Sequence, residues 1–217
     1  MIYFISGLGA DERVFKYLNL GNYRYKHIKW EKPTSRESLL DYCGRLLKQI
    51  DLSEEIILIG VSFGGIVAQE ISRIINVRKV IILSSVKSKE EFSWQLSTVS
   101  KFQLYKLVPS GILKWSNKLT GEYYFGVNSA IESELLKQIL NDTDSMFLKW
   151  AIDAIMKWDG NSTDSNLVHL QGDKDRIFPV TRMKNFIRIV GGGHFMVVNR
   201  AEEISEIIKS EIKDIAQ

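Results

Sequence analysis

Glu55-Ile56-Ile57-Leu58-Ile59-Gly60-Val61-Ser62-Phe63-Gly64-Gly65 is the stretch on which the reading of this 217-residue chain turns. Ile56 to Ile59 is a short apolar run without polar alternation, as expected of a strand buried on both faces. Val67, Ala68, Ile71, Ile74 and Ile75 follow at the spacing of one helix face. Gly60-x-Ser62-x-Gly64 lies between the two. The pattern is strand, tight turn and helix, with a serine at the tip of the turn. In so sharp a turn neighbouring side chains would collide, and glycine removes the Cβ atoms in the way. A plainer alternative is a glycine-tightened turn whose serine caps the helix.

Outward from this stretch, further apolar runs predict strands over Ile2 to Ile5, Tyr25 to Trp30, Lys79 to Leu83, Leu167 to Leu170 and Asn185 to Val190. Helical patterns alternate with them. A short one covers Asp11 to Leu18, with acidic residues in its first turn where the helix dipole favours them. Ser38 to Ile50 carries Leu39, Leu40, Cys43, Leu46, Leu47 and Ile50 on one face, and Ser145 to Trp158 is amphipathic. A closing helix runs from Ala201 with Ile204, Ile207, Ile208, Ile212 and Ile215. Strands that alternate with helices imply βαβ units and a parallel sheet, and apolar strands imply helices on both faces. The expected class is therefore α/β, a single domain over residues 1–217 with a mostly parallel six-stranded sheet.

Val86 to Thr143 breaks the alternation. It holds no buried-strand run and reads as helices near Phe92 to Leu107, Ile112 to Leu119 and Ile131 to Leu140, with a break at Pro109. Helices inserted here, over residues 86–143, read as a cap beside the serine turn. Trp94, Phe102, Tyr105, Trp115, Tyr123, Tyr124 and Phe125 are expected mainly to form the cap's own small core, a few of them lining a pocket.

Composition narrows the function. Hydrophobic residues make up 45% and charged residues 25%, ordinary for a globular chain that builds its own core. The net charge is +3, and its basic residues are scattered among acidic ones, so no nucleic-acid partner is expected. Cys43 is the only cysteine, on an apolar helix face, which rules out an internal disulfide and reads as a buried small hydrophobe. His27, His169 and His194 lack metal-ligand spacing, so neither a metal nor another cofactor is expected. No signal peptide and no membrane-spanning run is visible, and a cytoplasmic location is the default expectation. The expected partner is a small-molecule substrate.

A serine hydroxyl needs a base within hydrogen-bond reach, and the base needs an orienting carboxylate. With Ser62 as the nucleophile, His194 is the candidate base, set in Gly191-Gly192-Gly193-His194-Phe195 just past the last strand. His169 lies within a strand and His27 in the second strand, and both read as structural. The acid is expected after the fifth strand, in Gln171-Gly172-Asp173-Lys174-Asp175-Arg176-Ile177-Phe178-Pro179. Asp175 is preferred, since Asp173 stands nearer the strand end, where it suits an Asx-type turn. An oxyanion needs two preorganised donors, expected from the backbone N–H groups of Phe63 and of Leu8, the latter flanked by Gly7 and Gly9.

These segments, FISGLGAD, GVSFGG, HLQGDKDRIFP and GGGHF in that order, resemble the small serine-dependent members of the α/β-hydrolase family over nearly the whole chain. The resemblance implies Ser62 as nucleophile, Asp175 as acid, His194 as base and the Leu8 and Phe63 amides as oxyanion hole, in an esterase-like hydrolase without a cofactor. Many relatives carry His before the glycine of the oxyanion loop, where this chain has Ser6, whose hydroxyl can anchor the loop. Many also begin with two further strands, so a sheet order of 2-1-3-4-5-6 is implied here. Two rivals stand beside this reading. Gly7-Leu8-Gly9 half-matches a dinucleotide fingerprint, but Asp11 and Glu12 would repel a pyrophosphate. The same fold could also serve a lyase or a non-catalytic ligand-binding protein.

Overall fold

Ile2–Ile5 (β1), Tyr25–Ile28 (β2), Ile57–Val61 (β3), Lys79–Leu83 (β4), Leu167–Gly172 (β5) and Ile187–Ile189 (β6) join in one sheet. The computed structural model of the chain describes residues 1–102, 120–160 and 166–213. The sheet order is β2-β1-β3-β4-β5-β6, as the family resemblance implies, and every pairing is parallel. The chain runs outward from β1 to β2 and then returns to pair β3 on the other side of β1. The strand order therefore reverses between β1 and β3, and open α/β sheets bind ligands beyond the carboxyl ends of strands at such a reversal. The serine turn follows β3 at that point.

Alternate residues of the central strands enter two separate layers, since successive side chains point to opposite faces. Tyr3, Ile5, Leu58, Val80 and Ile82 face one layer. Helices Leu39–Leu46 (α1), Phe63–Ile74 (α2) and Ser145–Lys157 (α5) cover it through Tyr42, Cys43, Ile66, Ile71, Phe147 and Ala151. Ile2, Phe4, Ile59, Ile81, Leu83 and Leu170 face the other. There Ala130–Asp142 (α4), Met196–Asn199 (α6) and Ala201–Ile212 (α7) supply Leu136, Ile139, Met196, Ile204 and Ile208. Each Val, Leu, Ile, Phe or Met side chain among them that is fully withdrawn from water contributes about 1.5–3 kcal/mol.

Several boundaries differ from the sequence pattern, each for a tertiary reason. Only Glu12–Phe15 is helical in the 11–18 segment, as one 3₁₀ turn, and Asp11 caps it by accepting from the Arg13 N–H at 3.0 Å. α1 stops at Leu46 and tightens into a 3₁₀ turn over Leu47–Gln49. There the Gln49 carboxamide bonds both the N–H and the carbonyl of Lys29, at 2.8 and 3.0 Å. β2 ends at Ile28, because Trp30 turns inward to stack on Phe63 with ring centroids 5.5 Å apart. Tyr25 and Lys26 on this edge strand are exposed, so the covering of both faces does not extend to β2. β6 is shorter than expected, and Asn185 before it takes a left-handed φ of 52°. α2 is buried on every side from Phe63 to Ile71 rather than on one face, while Ile74, assigned to that face, is 39% exposed.

Between β4 and β5 the described residues contain no strand. Trp94–Lys101 (α3), a helical stretch over 120–125 that the sequence pattern did not single out, and α4 precede α5. The aromatic residues do not build a core for this segment among the described residues: Trp94, Phe102, Tyr123 and Tyr124 are exposed. Leu135, Leu136, Ile139 and Leu140 of α4 provide the apolar contact instead. The expected helix at 112–119, the break at Pro109, the tail of the 92–107 helix beyond 102, and Tyr105, Trp115 and Ile215 lie outside the described residues.

The turn between β3 and α2 leaves no space. A Cβ on Gly60 would strike the Gly64 carbonyl, and one on Gly64 would strike the carbonyls of Ile5 and Ser6. Gly64→Ala therefore forces β1 and the turn apart. We expect a loss of about 1–3 kcal/mol in urea unfolding, as for other overpacked cores. A variant as stable as the parent would show that the turn can yield.

Candidate active site

Ser62 is held in a backbone conformation that non-glycine residues rarely adopt, φ 52° and ψ −118°. Such strain costs about 1–3 kcal/mol and persists only where the surroundings impose it. Here the Ser62 N–H donates to the Leu83 carbonyl at 2.9 Å. The Ser62 carbonyl accepts from the Gly65 N–H at 2.9 Å and from the Ser85 hydroxyl at 2.7 Å. With its main chain so fixed, the side chain stands clear of the sheet. Its hydroxyl makes no cap bond to α2, which removes the helix-capping alternative.

The Ser62 hydroxyl lies 2.9 Å from Nε2 of His194, and Nδ1 of His194 lies 2.8 Å from Oδ2 of Asp175. His194 and Asp175 are buried. Ionised Asp175 can only accept, so Nδ1 of His194 carries the proton and Nε2 is free to receive one from the serine. Asp175 Oδ1 accepts from the N–H groups of Ile177 and Phe178 at 2.8 and 2.9 Å. Oδ2 accepts from Gln171 Nε2 at 2.9 Å as well as from His194. The Asx-type turn thus belongs to Asp175, not to Asp173. Asp173 instead accepts from the Gly191 N–H at 2.8 Å and steadies the glycine loop that carries His194.

The two loops approach as closely as backbone allows. A Cβ on Gly172 would strike the Gly192 carbonyl, and the Lys174 N–H donates to that carbonyl at 2.9 Å. Phe125 and Phe178 flank the imidazole, with ring centroids 5.3 and 5.7 Å from it. The loop after β1 lies on the other side of Ser62. The Ser6 hydroxyl donates to the Ala10 carbonyl at 2.7 Å, and Trp30 Nε1 donates to the Gly7 carbonyl at 3.2 Å. Gly9, at φ 69°, has its carbonyl 3.0 Å from the Thr143 hydroxyl. The N–H groups of Leu8 and Phe63 donate to no acceptor among the described residues.

A cavity of about 500 Å³ opens over Ser62 and His194. Leu96, Val99, Ile139, Leu140, Ile152 and Ile155 line it, and among the described residues few polar side chains reach it. The arrangement can take a proton from the serine, store it on the imidazole and stabilise the resulting charge. No group of three or more metal-ligating side chains exists among the described residues. Gln171 and Ser85 escaped the sequence reading. The available signal was a polar side chain at the end of an apolar strand, four residues before Asp175.

No protein-family model matches the sequence, and no curated protein matches it. Solved structures do. An esterase from Exiguobacterium antarcticum superposes with a TM-score of 0.72 at 18% identity, over 98% of this chain and 91% of its own. A thermophilic esterase from Thermogutta terrifontis gives 0.71 at 15% identity, over 100% and 90%. A hydrolase from Oleispira antarctica gives 0.69 at 15%, over 98% and 90%. The chain has the α/β-hydrolase fold.

Both remaining histidines pack in the sheet. His27 packs against the rings of both Phe4 and Phe15, at 5.4 and 5.6 Å, and these two rings also touch each other. His169 is buried, and burial pushes its imidazole down to about 4 from the ordinary 6.5. The folded state refuses a proton that the unfolded chain accepts below 6.5. Stability is therefore lost as pH falls from 6.5 towards about 4, by about 2 kcal/mol at pH 5. Urea unfolding of the parent and of His169→Gln at about pH 7.5 and pH 5 tests this, and the parent should lose about 2 kcal/mol more than the variant. Equal losses would assign the acid sensitivity to other groups.

Proposed function

We propose that this chain, which has the α/β-hydrolase fold, is a serine hydrolase that cleaves a small carboxylic ester with an apolar acyl or alcohol portion. The hydrogen-bonded path from Ser62 through His194 to Asp175 is the observation that carries the reading. His194 takes the proton as the Ser62 oxygen attacks the ester carbonyl. Asp175 holds the imidazole in the required tautomer and balances its positive charge. The tetrahedral oxygen is received by the N–H groups of Phe63 and Leu8, which no described residue occupies. His194 then returns the proton to the departing alkoxide, leaving an acyl-Ser62 ester. A water that gives its proton to His194 attacks this ester and releases the acid and the serine.

The residues between β4 and β5 act in this reading as a cap, and their aliphatic side chains choose the substrate. A cavity of about 500 Å³ falls within the range of ordinary small-molecule sites. Among the described residues its wall offers no charged partner for an ionised acyl group, which would have to leave water unpaired. The neighbours described as esterases support the same bond type.

Purified protein assayed against nitrophenyl esters should prefer uncharged apolar acyl groups to a dicarboxylic acyl group of equal length. Preference for the charged ester would overturn the substrate reading. Ser62→Ala should lower kcat by about 10⁴-fold or more and abolish labelling by a fluorophosphonate. A variant within tenfold of the parent is incompatible with a serine nucleophile. Asp175→Asn should cost about 10³–10⁴-fold in kcat, because the imidazole loses its tautomer, whereas Asp173→Asn should cost far less. The reverse ranking would move the acid to Asp173.

A further inference from the structure

Resting on the proposed Ser62–His194–Asp175 chemistry, we propose that Gln171 is a positioning residue that sets the catalytic carboxylate and ties it to the serine turn. Gln171 is the fifth residue of β5 and is fully buried. A carboxamide taken out of water destabilises the fold unless its polar atoms are paired. This one has a partner for each hydrogen and each lone pair. Nε2 donates to Asp175 Oδ2 at 2.9 Å and to the Phe178 carbonyl at 2.8 Å. Oε1 accepts from the Ser85 N–H at 3.1 Å and from His169 Nε2 at 3.2 Å. The amide cannot be flipped: the Phe178 carbonyl and the ionised carboxylate only accept, and the Ser85 N–H only donates. The same logic puts the His169 proton on Nε2.

These bonds close a loop through the site. Ser85 donates its hydroxyl to the Ser62 carbonyl and its N–H to Gln171; Gln171 donates to Asp175; His194 bridges Asp175 to the Ser62 hydroxyl. The main chain of the serine and the oxygen that orients its base are thus referred to one side chain. Backbone N–H groups hold Oδ1 of Asp175, and Gln171 is the only side chain other than His194 that bonds Oδ2 among the described residues. Without it, Oδ2 keeps His194 as its one side-chain partner among the described residues, and the carboxylate loses one of the restraints on its turn about the last bond. The Phe178 carbonyl, whose ring packs on His194, also loses its donor. An aliphatic residue would suit a buried strand better, yet it would leave the Ser85 N–H and the Phe178 carbonyl unpaired.

A double-mutant cycle on the full-length protein tests the assignment. Gln171→Met keeps the length and removes both donors. Its kcat, counted per Ser62 labelled by fluorophosphonate, should fall about 10- to 100-fold with KM within about twofold, the size of effect that misplacement of a reacting group produces. In an Asp175→Asn background the same substitution should cost less than about threefold, because Gln171 acts through that carboxylate. Gln171→Asn, one methylene short of Asp175, serves where Gln171→Met does not fold, with the same expectations. A residue that only supports the fold would lower the melting temperature and the labelled fraction while leaving kcat per labelled site intact. That result, or a full multiplicative loss in the Asp175→Asn background, overturns the proposal. Should the parent take the fluorophosphonate but turn over no ester, the ester reading fails alone, and the cycle is read on labelling rates. A parent that does neither removes both.

Discussion

Between Val61 and Phe63 the chain has to leave a buried strand and enter a buried helix within a single residue. Every other feature of the site is fitted around that constraint. The backbone of Ser62 is strained, and the carbonyl of Gly64 lies where a side chain at Gly60 would stand. Neither condition would survive alone. Hydrogen bonds to Leu83, Gly65 and Ser85 hold the serine, and buried neighbours surround α2 as far as Ile71. The strain is the means by which a short side chain is lifted off the sheet towards a cavity.

Five strand ends then meet around this hydroxyl. The loop after β1 supplies Leu8, β3 supplies the serine turn, β4 supplies Ser85, and the loops beyond β5 and β6 supply Asp175 and His194. This is the carboxyl edge of the sheet at its strand-order reversal, where loops diverge and leave room for a ligand. Each loop is secured by bonds of its own, among them Ser6 to Ala10, Trp30 to Gly7, and Asp173 to Gly191. These bonds hold the donors and acceptors around the Ser62 hydroxyl in fixed positions.

Much of this was legible in the sequence, because the signals were local. Unbroken apolar runs marked the inner strands, and the glycine spacing marked the turn. Ser62, Asp175 and His194 could be singled out by residue type and order along the chain. What could not be read depends on partners distant in sequence. α2 looked one-sided because periodicity reports the helix alone, while its second face is covered by side chains such as Phe147 and Trp150 of α5, which lie against Phe63. The choice between Asp173 and Asp175 was argued from turn chemistry that the structure assigns to the other aspartate. Gln171 was invisible for a related reason: its four partners come from the loops after β4 and β5 and from β5 itself, and no spacing rule encodes them. The aromatic residues of the 86–143 segment were expected inside it, and the described ones mostly face outward, since α4 had already supplied enough aliphatic surface.

Phe125 and Gly126 meet the histidine loop in a way that bears on mechanics. The Phe195 N–H donates to the Phe125 carbonyl at 2.8 Å, Asn199 donates to the Gly126 carbonyl at 3.2 Å, and a Cβ on Gly126 would lie 3.1 Å from the Gly193 Cα. His194 is therefore moored to two parts of the chain, the end of the sheet and a segment some seventy residues upstream. Tension applied to that upstream segment is delivered to the imidazole through main-chain atoms, whatever side chains the segment carries.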